Sequence, residues 1–373
     1  MLWLHIIQYT GFFCSQITNA ALVHLIWTKA KNRFGTYRYV MLTYTICSLL
    51  YSWIEVLAQP IAHIKSQVFI LIMDSPMKYY TSVGYIILCV YCSSFALVIS
   101  LLAAQFYYRY VAMCRQDLLP RIEGLRLLLL FLPCTFLCVA WFLLVYWLMS
   151  NTLEKQMFMK EDLRKNYDED STKVSFIAIM YWSIGDDGNK IWRVGDMIGS
   201  AGCTTIIMVC FLVIVSCVGK IYNMMQGAKC HMSSKTLELN RQLFITLLFQ
   251  TLLPFVMMYI PVGLVITFPL FEIPVGLVPT AVTASAAVYP ALEPLIAIMC
   301  IGEFRKCIFN YDDNSVYPVG GVPIAVDLDY FSNYVKKGGP QGPLRFGKRR
   351  GPSGPLRFGK RSFHAAPAPE DVV

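Results

Sequence analysis

Two hexapeptides, Leu344-Arg345-Phe346-Gly347-Lys348-Arg349 and Leu356-Arg357-Phe358-Gly359-Lys360-Arg361, carry the most explicit chemistry in this sequence. They lie within a repeat whose period is 12 residues, each is led by Gly-Pro, and Lys336-Lys337 stand before the first copy. An endoprotease that recognises dibasic sites would cut at Lys336/Lys337, Lys348/Arg349 and Lys360/Arg361. Trimming the basic residues would leave Gly347 or Gly359 at a new C-terminus. The nitrogen of that glycine can remain as the amide of Phe346 or Phe358, which removes the terminal charge. The enzymes for these steps act in the secretory lumen, so the chemistry depends on which side of a membrane this segment occupies.

No other constellation suggests catalysis. His5, His24, His63, His231 and His364 are scattered, and HExxH, GxSxG and P-loop patterns are absent. The 13 cysteines show no paired CxxC spacing, most lie in apolar stretches, and none lies in 150–193. An enzyme, a metal and a cofactor are therefore not expected. The net charge of +9 is concentrated in the tail, where 336–373 holds nine Lys/Arg against two acids. It is no argument for nucleic acid.

The elements that place everything else are seven apolar stretches near 5–27, 39–61, 84–108, 127–149, 197–219, 243–268 and 275–301. A helix crossing a bilayer needs roughly 20 mostly apolar residues, because every backbone group must be satisfied within the segment. Seven such runs and a mean hydropathy of +0.52 imply an all-α membrane protein, a seven-transmembrane helix bundle spanning 1–310. Residues 311–335 change composition and read as a linker. Residues 336–373, rich in Gly and Pro, read as a disordered tail carrying the two repeats.

The loops set the orientation. Lys29, Lys31, Arg33 and Arg38 follow the first span, Arg109, Arg115, Arg121 and Arg126 the third, and Lys220, Lys229, Lys235 and Arg241 the fifth. On the other side, 150–193 balances seven Lys/Arg with eight acids. Positive charge stays cytoplasmic, so the N-terminus is expected outside and the tail inside. After the last span, Phe304, Cys307 and Ile308 share one face of a short helix expected on the inner leaflet.

Within the spans, Glu55 in Ser52-Trp53-Ile54-Glu55 is costly at membrane depth and should face the interior. Glu55, Trp53 and Gln105 are the candidate ligand-binding residues, and Glu293 is a similar buried acid. A plain structural hydrogen-bond role remains open for each. Pro254 and Pro261 interrupt the sixth span, and Pro290 and Pro294 the seventh. Each removes a backbone donor and kinks its helix, giving either a pivot or a static bend.

Longer motifs add a resemblance. Phe34-Gly35-Thr36-Tyr37-Arg38-Tyr39, Gln59-Pro60, Gln105-Phe106-Tyr107-Tyr108-Arg109-Tyr110, Gln242-Leu243-Phe244, Met258-Tyr259-Ile260-Pro261-Val262-Gly263 and Tyr289-Pro290-Ala291-Leu292-Glu293-Pro294 together resemble nematode Str-class serpentine chemoreceptors over about 15–310. The resemblance implies a G-protein-coupled, odorant-type receptor of the plasma membrane. A small-molecule ligand would bind among the outer helix halves and 150–193. A heterotrimeric G protein would meet the inner ends of spans three, five and six. Arg109 and Tyr110, with Pro254, Pro261, Pro290 and Pro294, are then the expected coupling and activation residues. The chain departs from rhodopsin-like receptors in having Tyr108-Arg109-Tyr110 without an acid, and no cysteine in 150–193. The segment 336–361 resembles nematode FMRFamide-like neuropeptide precursors. A secreted precursor is the alternative function, but it conflicts with a cytosolic tail, and a junction of two genes within 311–335 would reconcile the halves.

Overall fold

The computed structural model describes residues 2–29, 35–122, 124–185, 187–227 and 234–309, the side chains of 234–238, 303 and 309 aside. The chain divides into two units, Met1–Asp312 and Asp313–Val373. The linker and both repeats lie outside the described residues, as do Lys31, Arg33, Lys229 and the side chain of Lys235.

Six helical stretches are long and apolar enough to cross a membrane. They are α2 (Tyr37–Ala58), α3 (Thr81–Cys114), the segment ending in α4 (Leu128–Leu148), α6 (Val194–Gly227), the broken helix over Leu239–Phe271, and α9 (Val278–Cys300). The seventh bundle helix, α1 (Leu2–Lys29), is 28 residues long but less apolar. Its buried face carries Gln8, Ser15 and Asn19, which pack against α2 and α9 instead of lipid. The broken helix comprises α7 (Ser234–Pro254), one π-helical turn over Phe255–Tyr259, and α8 (Ile260–Thr267). The chain closes on α10 (Gly302–Phe309). Phe304 of α10 is buried, whereas Cys307 and Ile308 are exposed, so the expected single apolar face is divided between bundle and surroundings.

The loops expected on the outer side contain structure beyond the all-helical expectation. Strands β1 (Pro60–Lys65), β2 (Val68–Met73) and β3 (Phe176–Met180) form an antiparallel sheet in that order. Pro60 pairs with Met73, Lys65 with Val68, and Val68 with Met180. Ser66, at φ +48° in the tight β1–β2 turn, takes the left-handed conformation. Side chains alternate across a strand, and here both faces are covered. Val68, Ile70, Ile72, Phe176, Ala178 and Met180 pack on Met159 and Leu163 of helix α5 (Leu153–Tyr167). Leu71, Ile177 and Ile179 join the core of the bundle. The six-residue apolar run of β2 is the pattern of a strand buried on both faces. A hairpin of β4 (Trp182–Ile184) and β5 (Lys190–Trp192) leads into α6.

An ion network holds α5 in place. Lys155, 1% exposed, donates to the carbonyls of Ser150 (3.0 Å) and Ala178 (2.8 Å) and to Asp196 Oδ1 (2.5 Å) at the start of α6. Burial pushes its pKa down, against the attraction of Asp196. Arg193 reaches Asp196 (3.1 Å) and Glu154. At the other end of α5, His63 meets Asp162 at 2.5 Å and Tyr167 Oη at 3.1 Å. Burial, reinforced by Asp162, raises the Tyr167 phenol to about 12.

Candidate functional site

Beneath the sheet, α3, α4, α6, α8 and α9 surround a cavity of about 80 Å³. The sheet supplies Phe69, Leu71, Ile177 and Ile179 as its roof. The helices supply Tyr91 and Phe95, Trp141 and Val145, Cys203, Val262 and Ile266, and Val282 and Ala286. The exposed surface of the cavity is almost wholly apolar, although Ser200, Thr283 and Trp141, whose indole nitrogen has no partner, also belong to its wall. A space of this size would admit several waters by volume, but its wall offers them too few partners. It suits an apolar guest of a few heavy atoms. These residues give no sequence signal, because they are ordinary apolar positions in apolar spans. The exception is Tyr91, a phenol in the middle of α3.

The structure separates the three expected ligand-binding residues. Glu55 does face inward, 3% exposed, on the same buried stripe of α2 as Tyr44, Ser48, Tyr51 and Ser52. Gln8 and Tyr91 come near its carboxyl, but neither of its oxygens has a hydrogen bond of good geometry. Trp53 is 57% exposed and lies on the outer wall, edge-on to Phe12 with ring centroids 4.8 Å apart. It shares no cavity with Glu55. Gln105 lies in the C-terminal half of α3, where its Oε1 accepts from Tyr37 Oη at 3.4 Å. Its neighbour one turn on is Arg109.

Arg109 is 7% exposed and stacks its guanidinium over the Tyr37 ring, 3.8 Å from the centroid. Tyr37 stacks in turn on Tyr108. Arg109 Nε and Nη2 have no hydrogen-bond partner, so a buried cation with two free donors stands at this end of the bundle. Tyr110 lies under Lys220 Nζ of α6, 5.0 Å from its ring centroid, which links the ends of α3 and α6.

The prolines each free a carbonyl one turn back, and neighbouring helices claim two of these. Pro261 frees the Met257 carbonyl, to which Ser285 Oγ of α9 donates at 2.6 Å. Pro294 frees the Pro290 carbonyl, to which Asn19 Nδ2 of α1 donates at 2.9 Å. Pro254 immediately precedes the π-helical turn. That turn carries Tyr259, whose hydroxyl donates to the Phe95 carbonyl of α3 at 3.0 Å. Further polar contacts join the helices at Tyr44–Tyr289 (2.6 Å) and Gln250–Glu293.

A bundle of seven helices, a roofed apolar cavity at one end and a buried arginine towards the other form a receptor arrangement. Residues 4–309 match the family described as the serpentine type 7TM GPCR chemoreceptor Str. The chain belongs to this family. Serpentine receptor class r-10 of Caenorhabditis elegans is 32% identical over 82% of this chain and 89% of its own length. Its Caenorhabditis briggsae counterpart is 29% identical over 83% and 91%. The G-protein coupled receptor str-33 of Caenorhabditis elegans is 23% identical over 79% and 86%. The chain is thus a multi-pass serpentine chemoreceptor. The family match ends at 309, and the repeats at 336–361 lie outside it.

Proposed function

We propose that this chemoreceptor resides in the plasma membrane, binds a small apolar, odorant-type molecule in the roofed cavity and signals through a heterotrimeric G protein. The observation that carries the ligand class is the cavity itself, whose size and carbon lining favour a compact guest with little hydrogen-bonding capacity. The guest would touch α3, α4, α6, α8 and α9 at once, so it can favour one packing of these helices over another. The inner ends of α3, α6 and α7, with Arg109 and Tyr110, would then form the G-protein face. Pro254 and Pro261 with the π-helical turn are the proposed pivot, and Pro290 and Pro294 the matching bends of α9.

Filling the cavity tests the reading. Ala286 is buried on its wall, and Ala286→Phe is expected to lower agonist potency at least about tenfold at equal surface density, a change of about 1.4 kcal/mol. Unaltered potency in a correctly trafficked Ala286→Phe receptor would place the ligand elsewhere.

A further inference from the structure

The wall of the roofed cavity is uneven. Its residues on α4 and α9, such as Trp141, Val145, Val282 and Ala286, are buried. Of the five wall residues that are only partly buried, three stand on α6 and α8: Ser200, Val262 and Ile266. The other two are Phe69 of the sheet and Cys92 of α3. The wall is therefore thinnest where α6 and α8 face each other.

Those two helices scarcely pack together. α6 lies against α3 and α4, and α8 against α9 and the π-helical turn, with hardly any backbone approach between α6 and α8. Two side-chain crossings span the gap. Phe211 of α6 stacks on Phe255 of the π-helical turn, with ring centroids 4.9 Å apart. At the other end, the Tyr181 hydroxyl donates to the Ile266 carbonyl of α8 at 2.9 Å and meets Ser200 Oγ of α6 at 3.3 Å. Ser200 and Phe211 are 11 residues apart, and so are Phe255 and Ile266 on the antiparallel partner. Two equal intervals of about 16 Å thus frame a slot. Cys203 and Val262, which line the cavity, lie between the crossings, and a Cβ added at Gly263 would meet nothing within 4 Å.

The crossing at Tyr181 is the one that can open. Tyr181 belongs to neither helix. It stands between β3 and β4, where its N–H donates to the Gln67 carbonyl (3.3 Å) and its carbonyl accepts from the Arg193 N–H (3.0 Å). These backbone bonds fix the residue, while the hydroxyl holds the helices by two neutral hydrogen bonds of modest net strength. The phenol can leave both while the strands stay paired. Tyr181 itself does not line the cavity.

We propose that the slot between α6 and α8 is the entrance through which the guest reaches the cavity, and that the Tyr181 hydroxyl is its latch. The assignment rests on the cavity being the ligand site. While the hydroxyl holds Ile266 and Ser200, the two helices stay together and the guest is enclosed. Its release lets the end of α8 move away from α6, with the Phe211–Phe255 stack as the fixed end of the slot. The latch touches the path and not the bound guest, so loosening it changes entry and exit together and leaves the affinity as it was.

Exchange of fluorobenzene, a compact apolar probe, into and out of the full-length receptor in lipid nanodiscs tests this by fluorine NMR saturation transfer. In Tyr181→Phe, entry and exit should both be faster by about three- to tenfold at unchanged Kd, as the loss of one or two hydrogen bonds implies. Ser200→Ala removes one of the two partners and should quicken exchange less, and it carries the test should Tyr181→Phe not fold. Ala286→Phe should abolish the bound signal, an arm that reports on the cavity alone. A bound signal lost in Ala286→Phe, with exchange rates equal in wild type and Tyr181→Phe, would overturn the entrance and leave the cavity standing. A Kd that changes at constant entry rate would make Tyr181 part of the guest's wall and equally overturn the latch. No bound signal in the wild type would remove the cavity reading and the entrance with it.

Discussion

At the scale of residues, Arg109 and Lys155 show two fates of a buried cation. Lys155 is fully engaged by two carbonyls and Asp196, and it fastens α5 to α6. Removing one partner of a buried pair leaves the other charge uncompensated, at a cost of about 3–5 kcal/mol. Because Arg193 still reaches Asp196, Lys155→Met is expected near the lower end, about 3 kcal/mol, read by thermal unfolding of the solubilised receptor. A loss below about 1 kcal/mol would show that α5 is held by its apolar face alone. Arg109 instead keeps two free donors over the Tyr37 ring. We predict that Arg109→Ala reaches the cell surface but loses most of the ligand-evoked G-protein response. Wild-type signalling at matched surface density would reduce Arg109 to a topology signal. Glu55 was legible in the sequence, since a charge in an apolar span must face inward. Trp53 could have been excluded by the same reasoning. Two residues subtend about 200° around a helix, which sets Trp53 and Glu55 on opposite faces. The cavity wall was not legible, because carbon-lined positions in apolar spans look alike.

At the scale of elements, two of the four proline sites, Pro261 and Pro294, are cross-linked to a neighbouring helix and not merely bent. Ser285 supplies the donor that Pro261 removes from Met257, so the two residues should be coupled. Ser285→Ala is expected to cost about 1 kcal/mol, the lower end for an unsatisfied carbonyl, because the Met257 carbonyl is only part-buried. In a Pro261→Ala background, where the helix can restore its own bond, the same change should cost far less. A double-mutant cycle on Tm checks this, and equal costs in both backgrounds would refute the coupling. The apolar stretches were readable as helices because bilayer crossing imposes both length and hydropathy, but not their ends, since α3 runs on to Cys114 and α6 to Gly227, past the expected 108 and 219. The sheet was not read, although Val68-Phe69-Ile70-Leu71-Ile72-Met73 is a continuous apolar run. Its partner β3 lies about a hundred residues on in the chain, and periodicity within a single segment cannot reveal a distant pairing. The breadth of apolar faces also hid the π-helical turn.

At the scale of the whole molecule, orientation governs both ends of the chain. The basic loops 28–38, 109–126 and 220–241 motivate an N-terminus outside. An epitope tag before Leu2 is therefore expected to label on intact cells, and labelling only after permeabilisation would invert the topology. The same orientation would place 336–361 in the cytosol. We predict that the full-length chain in peptide-secreting cells releases no amidated peptide, whereas 336–373 behind a signal peptide releases both. Mass spectrometry of the medium decides, and amidated product from the full-length chain would mean a miscounted span. The roof over the cavity carries one further consequence. A sheet covered on one face by α5 and on the other by the bundle, with Lys155 of α5 bonded to the Ala178 carbonyl, stands between the cavity and that end of the bundle. A small apolar guest would then enter sideways, between helices, from the lipid. On the proposed function, the bilayer would be the reservoir from which the receptor samples, with the effective concentration set by partitioning. Across a series of guests of equal fit, half-maximal aqueous doses should fall in proportion to the membrane–water partition coefficient, so that the lipid itself acts as the first amplifier of the signal.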